Sequence, residues 1–320
     1  MHQERSLNLK RDNVITGSSF SKILIIGLGQ LGLSVAKYIR ERGFIICGYD
    51  INTKAMERAE RTAGVKQVIN FSSYDFDVFI ICLSTHNPQD IFSAQIDGLW
   101  SVAQKISREA RNNGALVSIE STIPIGTSKR VFEILNHRLH VVHAPHRWYA
   151  SEEKEHGVNQ LRIMGGVSEC CLDAGMQFYA SDIDKTHSTL NPTSQSVLGI
   201  PMHPVSNVEI AEITKVAENA HRYLQIAFAE ELSLYCHANN INFPELRDAL
   251  NTKWNVEILE PREGIGGHCL SKDTKMFLES SKGIKSKILT AAMKVDEDYK
   301  SYRAKEHHRF EKKRTASEVS

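Results

Sequence analysis

Three glycines follow an apolar run near the start of the chain, in the order Gly27-Leu-Gly29-Gln-Leu-Gly32. Such a turn between a strand and a helix presents backbone amides and the positive end of the helix dipole to a pyrophosphate. Asp50 ends the next apolar run, where a carboxylate can accept hydrogen bonds from both ribose hydroxyls and repels a 2′-phosphate. The pattern therefore predicts a dinucleotide site that favours NAD over NADP. The predicted contacts are Gly27, Gly29, Gln30, Leu31, Gly32, Asp50, Asn52, Ser84, Thr85 and Thr122.

A second glycine cluster precedes a cysteine, in the segment Gly264-Ile-Gly-Gly-His-Cys269-Leu-Ser-Lys-Asp273. Glycines leave the backbone exposed, so a thiol beside them can come close to a ligand, whereas packing alone requires neither the glycines nor the aspartate. The other cysteines show no zinc-ligand spacing, and we expect free thiols and no metal. Cys269 is therefore a candidate nucleophile.

Further polar groups follow predicted strands or lie on a predicted helix. Segments 120–127 and 142–148 each close an apolar run, at the sheet edge where α/β proteins bind ligands. Lys215 and Asn219 are i, i+4 neighbours on one face of a long helical pattern. Each group taken alone also fits a structural role, such as a helix cap, a solvated lysine or a histidine that fills space.

The elements that must position these residues alternate between strand and helix in the first part of the chain. Apolar runs typical of buried parallel strands lie at 23–26, 44–49, 78–83, 116–119, 139–143 and 163–165. Helical patterns lie between them, at about 31–42, 52–63, 89–112, 127–136 and 169–180. The alternation predicts an α/β fold, with a Rossmann-type doubly wound parallel sheet over residues 20–205, after a disordered arm at 1–19.

The pattern becomes helical after this sheet. Ser206 followed by Glu209 predicts a capping box, and neither Gly nor Pro interrupts the helix as far as about His237. Shorter helices are predicted near 243–251, 271–281 and 284–300. We expect an all-α domain at 206–298 built on one long helix, and a polar basic tail at 299–320. Several apolar faces on the long helix favour a homodimer.

The composition excludes several classes of protein. Hydrophobic residues make up 41% of the 320 residues and charged residues 24%, as in ordinary globular domains. With 39 basic against 38 acidic residues, nucleic acid is not the expected partner. No apolar run reaches the roughly 18–20 residues that cross a bilayer, and the first residues lack a signal-peptide pattern. We therefore expect a cytoplasmic protein with no membrane partner.

In order and spacing, these motifs resemble the nucleotide-sugar dehydrogenase family, which oxidises UDP-glucose, GDP-mannose or UDP-N-acetylmannosamine. The resemblance covers about residues 22–280 and rests on the glycine turn, S-T-x-P-x-G-T, A-E-x-x-K-x-x-x-N and G-x-G-G-x-C. It implies oxidation of a nucleotide-sugar C6 alcohol to the uronate by two NAD, in a homodimer.

The resemblance also implies roles for single residues. Cys269 corresponds to the nucleophile that traps the aldehyde as a thiohemiacetal and later carries the thioester. Lys215 and Asn219 correspond to the pair that stabilises oxyanions, Asp273 to the carboxylate that orders a water, and Thr122 to the hydroxyl at the reacting centre. The implied substrate contacts are Lys215, Asn219, Gly266, Gly267 and His268.

The chain departs from the family pattern in three places. His146 stands where the family has a glutamate thought to help thioester hydrolysis, so the base is either His146 itself or Glu152 or Glu153. The cysteine loop mixes an N-acetylmannosamine-type Gly-Gly-His-Cys with a UDP-glucose-type Lys-Asp-Thr-Lys. The helical region is not followed by the family's second Rossmann-like domain, so the chain resembles a short form. A β-hydroxyacid-type single-step NAD dehydrogenase and a non-catalytic NAD-binding derivative remain alternatives.

Overall fold

An eight-stranded sheet lies at the centre of the computed structural model, which describes residues 20–87, 89–147, 157–180, 198–280 and 286–318. The strands of the described residues are β1 (Lys22–Ile26), β2 (Ile45–Tyr49), β3 (Lys66–Gln67), β4 (Val78–Ile81), β5 (His86–Asn87), β6 (Asp90–Ala94), β7 (Leu116–Ile119), β8 (His140–His143), β9 (Arg162–Gly166) and β10 (Met202–Val205). In the large sheet the strands lie in the order β10-β9-β8-β7-β4-β1-β2-β3. Neighbouring strands are parallel, except for the antiparallel pair β8 and β9.

Helices cover both faces of this sheet and continue beyond it. They are α1 (Gln30–Arg40), α2 (Thr53–Ala63), α3 (Asp97–Glu109), α4 (Thr127–Ile134), α5 (Glu169–Tyr179), α6 (Val208–Ala238), α7 (Phe243–Asn251), α8 (His268–Ser280) and α9 (Lys287–Glu318). Ile23 and Ile25 pack in one apolar layer with residues of α1, α2 and α5. Leu24 and Ile26 pack in the other layer, with residues of α3 and α4. Because alternate residues are buried on both sides, the strand is apolar throughout, and the predicted doubly wound sheet is confirmed.

The long helix α6 packs against α8 and α9, and a separate apolar cluster that includes Tyr223, Ala227 and Ala292 fills the space between α6 and α9. The prediction that Ser206 caps this helix is wrong by one position. Asn207 is the cap, and its side chain accepts a hydrogen bond from the Ile210 amide at 3.0 Å. The predicted all-α arrangement on one long helix is otherwise as expected.

Two stretches differ from their predicted structure. The stretch 89–112, predicted as one helix, starts with β6, which pairs with β5 before α3 begins. The stretch from residue 299, predicted as a polar tail, continues α9 as far as Glu318, and Tyr299 is buried within it. The predicted arm at 1–19 lies outside the described residues, as do Glu152 and Glu153. None of the described helices has the length and apolar composition of a membrane span.

Candidate active site

The glycine turn between β1 and α1 is fixed by close backbone contacts. Gly27 has a φ of 93°, and a Cβ there would lie 2.5 Å from the Cys82 carbonyl oxygen. A Cβ on Gly32 would lie 1.9 Å from the carbonyl oxygen of Gly27. A Cβ on Gly29 would instead meet no protein atom within 4 Å, so this glycine faces open space at the start of α1. The turn therefore fits a pyrophosphate, for which helix N-terminal amides are suited.

Backbone amides hold the carboxylate of Asp50 beside this turn. Its Oδ2 accepts from the Leu28 amide at 2.7 Å and its Oδ1 accepts from the Asn52 amide at 2.8 Å. The side chain of Asn52 caps α2 by accepting from the Lys54 amide at 3.0 Å. Each carboxylate oxygen can accept a further hydrogen bond, so Asp50 fits the two hydroxyls of a cofactor ribose.

The ends of β4 and β7 meet through two threonines that the sequence predicted as cofactor contacts. The Thr85 hydroxyl donates to the Thr122 carbonyl oxygen at 2.8 Å and accepts from Lys272 Nζ at 3.1 Å. Lys272 is buried and reaches this edge from α8. Ser84 is exposed and contacts the His86 imidazole instead. The cysteine-bearing helix is therefore attached to the sheet edge where the cofactor is expected.

A second bond attaches α8 to the long helix. Asn219 Nδ2 donates to Asp273 Oδ2 at 2.5 Å, and Lys272 Nζ lies 2.8 Å from Asp273 Oδ1. Asp273 is only 2% exposed. Cys269 lies in the first turn of α8, four residues before Asp273 and on the same helix face, and it is exposed. The structure thus brings the predicted cysteine, aspartate and asparagine together.

Lys215 lies one turn before Asn219 on α6 and is half-buried. Burial lowers the pKa of His146 to about 4, Arg162 contributes to this lowering, and the charge of Lys215 adds to it. Next to His146, Arg147 Nε donates to Glu218 of α6 at 3.2 Å. The predicted histidine is thereby held beside the helix that carries Lys215.

His146 itself belongs to a buried network around Glu120. Glu120 accepts hydrogen bonds from His146 Nε2, from the Tyr179 hydroxyl at 2.5 Å and from Arg162 Nη1 at 3.2 Å. The thiol of Cys82 lies 3.6 Å from the same carboxylate. Glu120 and Arg162 are almost wholly buried, so each charge depends on the other for compensation.

The charges in this network fix the tautomer of His146. Burial opposes ionisation of Glu120, but His146 and Arg162 outweigh it and lower the pKa of Glu120 to about 2. At neutral pH His146 is uncharged, and Arg162 is the cation that balances Glu120. Because a carboxylate can only accept, the proton of His146 is on Nε2. Nδ1 is left as a buried acceptor that has no partner among the described residues.

The remaining predicted residues fall into two groups. Gly266 and Gly267 face open space, and Gly267 has a φ of 78°. Gln30 and Leu31 form the first turn of α1. The side chain of His268 lies outside the described residues. No metal was predicted; Cys82, Glu120 and His146 lie close enough together to hold a metal ion, and Arg162 already balances the charge of the Glu120 carboxylate.

Four residues of the site were not singled out from the sequence: Lys272, Glu120, Arg162 and Tyr179. The first two stood within recognised motifs and could have been found there. Arg162 and Tyr179 had no local signal, because their roles depend on tertiary contacts that bring β9 and α5 to Glu120, just after the end of β7.

Comparison with known proteins places these features in one family. Residues 64–182 match the model of the UDP-glucose/GDP-mannose dehydrogenase family, NAD binding domain, and residues 209–298 match the central domain of the same family. The two matches together span more than half of the chain. The chain belongs to the UDP-glucose/GDP-mannose dehydrogenase family, and the predicted cofactor, NAD, is confirmed.

Similar proteins include two archaeal UDP-N-acetyl-D-mannosamine dehydrogenases. The chain is 28% identical to one from Methanococcus maripaludis, over 88% of this chain and 66% of the relative. It is 29% identical to one from Pyrococcus horikoshii, over 82% of this chain and 65% of the relative. The chain therefore spans just under two thirds of the length of these relatives.

Solved structures agree on the fold. A UDP-D-ManNAc dehydrogenase from Pyrococcus horikoshii has a TM-score of 0.73 at 25% identity, covering 88% of this chain and 70% of that chain. A 3-hydroxyisobutyrate dehydrogenase from Mycobacterium tuberculosis has a TM-score of 0.58 at 15% identity, covering 89% of this chain and 88% of that chain. At this identity the second likeness shows the fold alone.

Proposed function

We propose that the chain is an NAD-dependent nucleotide-sugar 6-dehydrogenase that forms the uronate through Cys269. The observation that carries this proposal is the pair of bonds made by α8. Asp273 bonds Asn219 at 2.5 Å, and Lys272 bonds Thr85 at 3.1 Å. Cys269, one helical turn before Asp273, therefore stands between the long helix and the cofactor edge. The names of the relatives support a UDP-N-acetylmannosamine-like sugar as the substrate.

The residues of the chain supply the covalent chemistry. NAD held at the glycine turn and Asp50 would supply the hydride acceptor for each of two oxidations of the same carbon. The sulfur of Cys269 adds to the aldehyde carbon, and Lys215 and Asn219 stabilise the resulting oxyanion, a contribution of about 3–4 kcal/mol per donor in such sites. After the second oxidation the carbon is held as a thioester. Water adds to that carbon, the carbon–sulfur bond breaks, and the acid and the free thiol are released.

Two groups are candidates to handle the attacking water. Asp273 Oδ1 is ion-paired with Lys272 Nζ at 2.8 Å, and because a carboxylate oxygen can accept a second hydrogen bond, it can also orient a water. His146 Nδ1 is an unpartnered acceptor whose ring is held by Glu120. We propose Asp273 as the residue that orders the water and His146, which is uncharged at neutral pH, as the base in the place of the family glutamate.

Replacement of Cys269 tests the proposal. Wild-type protein is screened with NAD against UDP- and GDP-sugars, and the active substrate should yield two NADH per acid formed. Cys269→Ala should abolish acid formation and leave NAD affinity unchanged, because the cofactor contacts lie on other elements. Cys170→Ser is the matched control, since Cys170 is also exposed but lies on α5.

The alternatives give different results in the same assay. A β-hydroxyacid-type dehydrogenase performs one oxidation, so it would yield one NADH per product and would keep its activity in Cys269→Ala. A non-catalytic derivative would bind NAD and oxidise none of the sugars. Acid formation by Cys269→Ala with two NADH per product would refute the covalent route.

A further inference from the structure

One face of α9 contacts the glycine loop that leads to Cys269. Three residues of this face, separated by three and four positions, each bond a different residue of the loop segment 262–265. The bonds join Asp296 Oδ1 to the Ile265 amide (2.9 Å), the Tyr299 hydroxyl to the Arg262 carbonyl oxygen (2.9 Å) and Arg303 Nε to the Glu263 carboxylate (3.1 Å). Positions three and four apart share one side of a helix, so these bonds form a continuous contact.

The fourth residue of the segment, Gly264, packs directly against the same face. Its φ is 98°, and a Cβ there would lie 2.8 Å from Lys300 Cγ and 3.3 Å from Asp296 Oδ1. Neither the backbone conformation nor the available space suits a side chain. This glycine of the motif is therefore required by the contact with α9, whereas Gly266 and Gly267 face open space.

Asp296 is the centre of the contact. It is 4% exposed, and its Oδ2 accepts from the Tyr223 hydroxyl of α6 at 2.9 Å and from Lys300 Nζ at 2.8 Å. Its other oxygen holds the loop through Ile265. One carboxylate thus connects α6, α9 and the loop, and its charge is compensated by Lys300.

The loop is held only a short distance before the candidate nucleophile. Ile265 is fixed by Asp296, two glycines follow, and α8 begins at His268 with Cys269 in its first turn. The place where α8 starts therefore depends on the fixed end of the loop. At the other side, Asp273 is fixed by Asn219, so Cys269 lies between two anchored points.

We infer that this face of α9, formed by Asp296, Tyr299, Lys300 and Arg303, positions Cys269, with Asp296 as the principal positioning residue. Tyr299 and Arg303 lie beyond the family match, which ends at residue 298. The stretch predicted as a solvated tail thus begins with residues that hold the cysteine loop. The inference rests on the proposed function only where it treats Cys269 as the nucleophile.

Substitution of Asp296 tests the inference in the full-length chain. In Asp296→Ala the amide of Ile265 loses its 2.9 Å bond to Asp296 Oδ1, so hydrogen exchange in segment 262–268 should become at least about tenfold faster. Asp296→Asn retains an oxygen acceptor and should give an intermediate rate. Leu289→Ala is the matched control, because Leu289 is buried on α9 but is not among the residues that bond the loop.

Thiol labelling measures the position of Cys269 without any sugar substrate. The iodoacetamide rate of Cys269, divided by that of the exposed Cys170, should change by at least about threefold in Asp296→Ala and stay constant in Leu289→Ala. Where wild-type activity is found, kcat should fall with the KM for NAD unchanged. If Asp296→Ala does not fold, Tyr299→Phe removes one loop bond with little change in volume and should give a smaller shift in both measurements.

Several outcomes would overturn the inference. Unchanged exchange in segment 262–268 would mean that α9 does not hold the loop. Faster exchange with an unchanged labelling ratio would mean that the loop is held but does not position Cys269. If Leu289→Ala changed exchange and labelling as much as Asp296→Ala does, Asp296 would contribute only to the overall stability of the protein. A wild-type protein that oxidises no sugar would contradict the proposed function alone, since exchange and labelling do not depend on turnover.

Discussion

The side chains of Asn219 and Asp273 meet at 2.5 Å, although they belong to different helices and are 54 positions apart. An amide donor and an ionised acceptor suit each other, whereas two carboxylates would repel. The bond determines which side of α8 faces α6. It thereby also determines the side on which Cys269 emerges, one turn earlier.

Asn219→Asp should therefore disturb the site more than Asn219→Ala. The added carboxylate faces Asp273 in a partly buried position, and we expect a loss of about 1–3 kcal/mol in the free energy of unfolding at pH 7. Urea unfolding measures this difference. A variant as stable as wild type at pH 7 would contradict the observed contact.

Asp50→Ala should change the choice of cofactor. The carboxylate is held by two backbone amides in a position that suits the ribose diol. Its loss should therefore weaken NAD binding at least about tenfold, or 1.4 kcal/mol. NADP should be affected much less, because the repulsion of its 2′-phosphate is removed at the same time. Fluorescence titration with both cofactors measures the ratio of dissociation constants. Wild-type protein that binds NADP at least as well as NAD would contradict this role of Asp50.

Glu120→Gln should destabilise the protein at neutral pH by about 3 kcal/mol, because Arg162 is left buried without a counter-charge. The pKa of Glu120 is lowered from 4.5 to about 2, so its contribution to stability is present above pH 4.5 and is lost as the pH falls toward 2. The difference between wild type and variant should shrink over that window. Chemical unfolding from pH 7 to pH 2.5 tests this, and a difference that does not depend on pH would contradict it.

Glu230→Gln should have the opposite pH dependence, because the stability that Glu230 contributes is lost as the pH rises. Burial, and then the nearby Asp296, raise the pKa of Glu230 from 4.5 to about 8, while Lys300 opposes the shift. The folded protein therefore holds a proton that the unfolded chain releases, and stability is lost as the pH rises from 4.5 to about 8. The variant has no such proton, so the melting temperature of the variant should rise relative to that of the wild type as the pH increases across this window. Parallel melting curves for the two proteins would contradict the assignment.

The proposed homodimer can be tested on the exposed face of α6. Phe228 is 53% exposed and Tyr235, two turns later, is 56% exposed, so α6 offers two aromatic side chains on one face to a second copy of the chain. Light scattering at micromolar concentration should give a mass clearly above 36.0 kDa, and Phe228→Ser with Tyr235→Ser should lower it. A wild-type mass near 36.0 kDa would remove this proposal.

Local patterns predicted the sheet and the cofactor turn because local chemistry decides them. The strand at 23–26 is apolar on both faces, and the turn at Gly27 needs a conformation that glycine adopts readily. Ser206 and Asn207 are adjacent residues of the type that caps helices, so the pattern could not choose between them.

The parts that sequence reasoning missed depend on tertiary contacts. Arginine is rarely buried, so nothing in the local sequence of Arg162 indicated a bond to Glu120, the residue that follows β7. The stretch after Tyr299 is rich in charge, which is typical of a solvated tail. Tyr299 and Arg303, at its start, bond a loop that lies about forty residues earlier in the chain, and no local pattern indicates that contact.

The bond between Lys272 and Thr85 joins residues 187 positions apart, and this has a consequence for the order of folding. During synthesis the strands β1 to β8 leave the ribosome well before α8 does, and domains generally fold from the N-terminal end. The Thr85 hydroxyl is therefore solvated at first, and it bonds Lys272 only after α8 has been synthesised. A nascent chain can therefore hold a folded sheet while the edge proposed to bind the cofactor is still exposed, and Cys269 reaches that edge only when the helical part packs onto it.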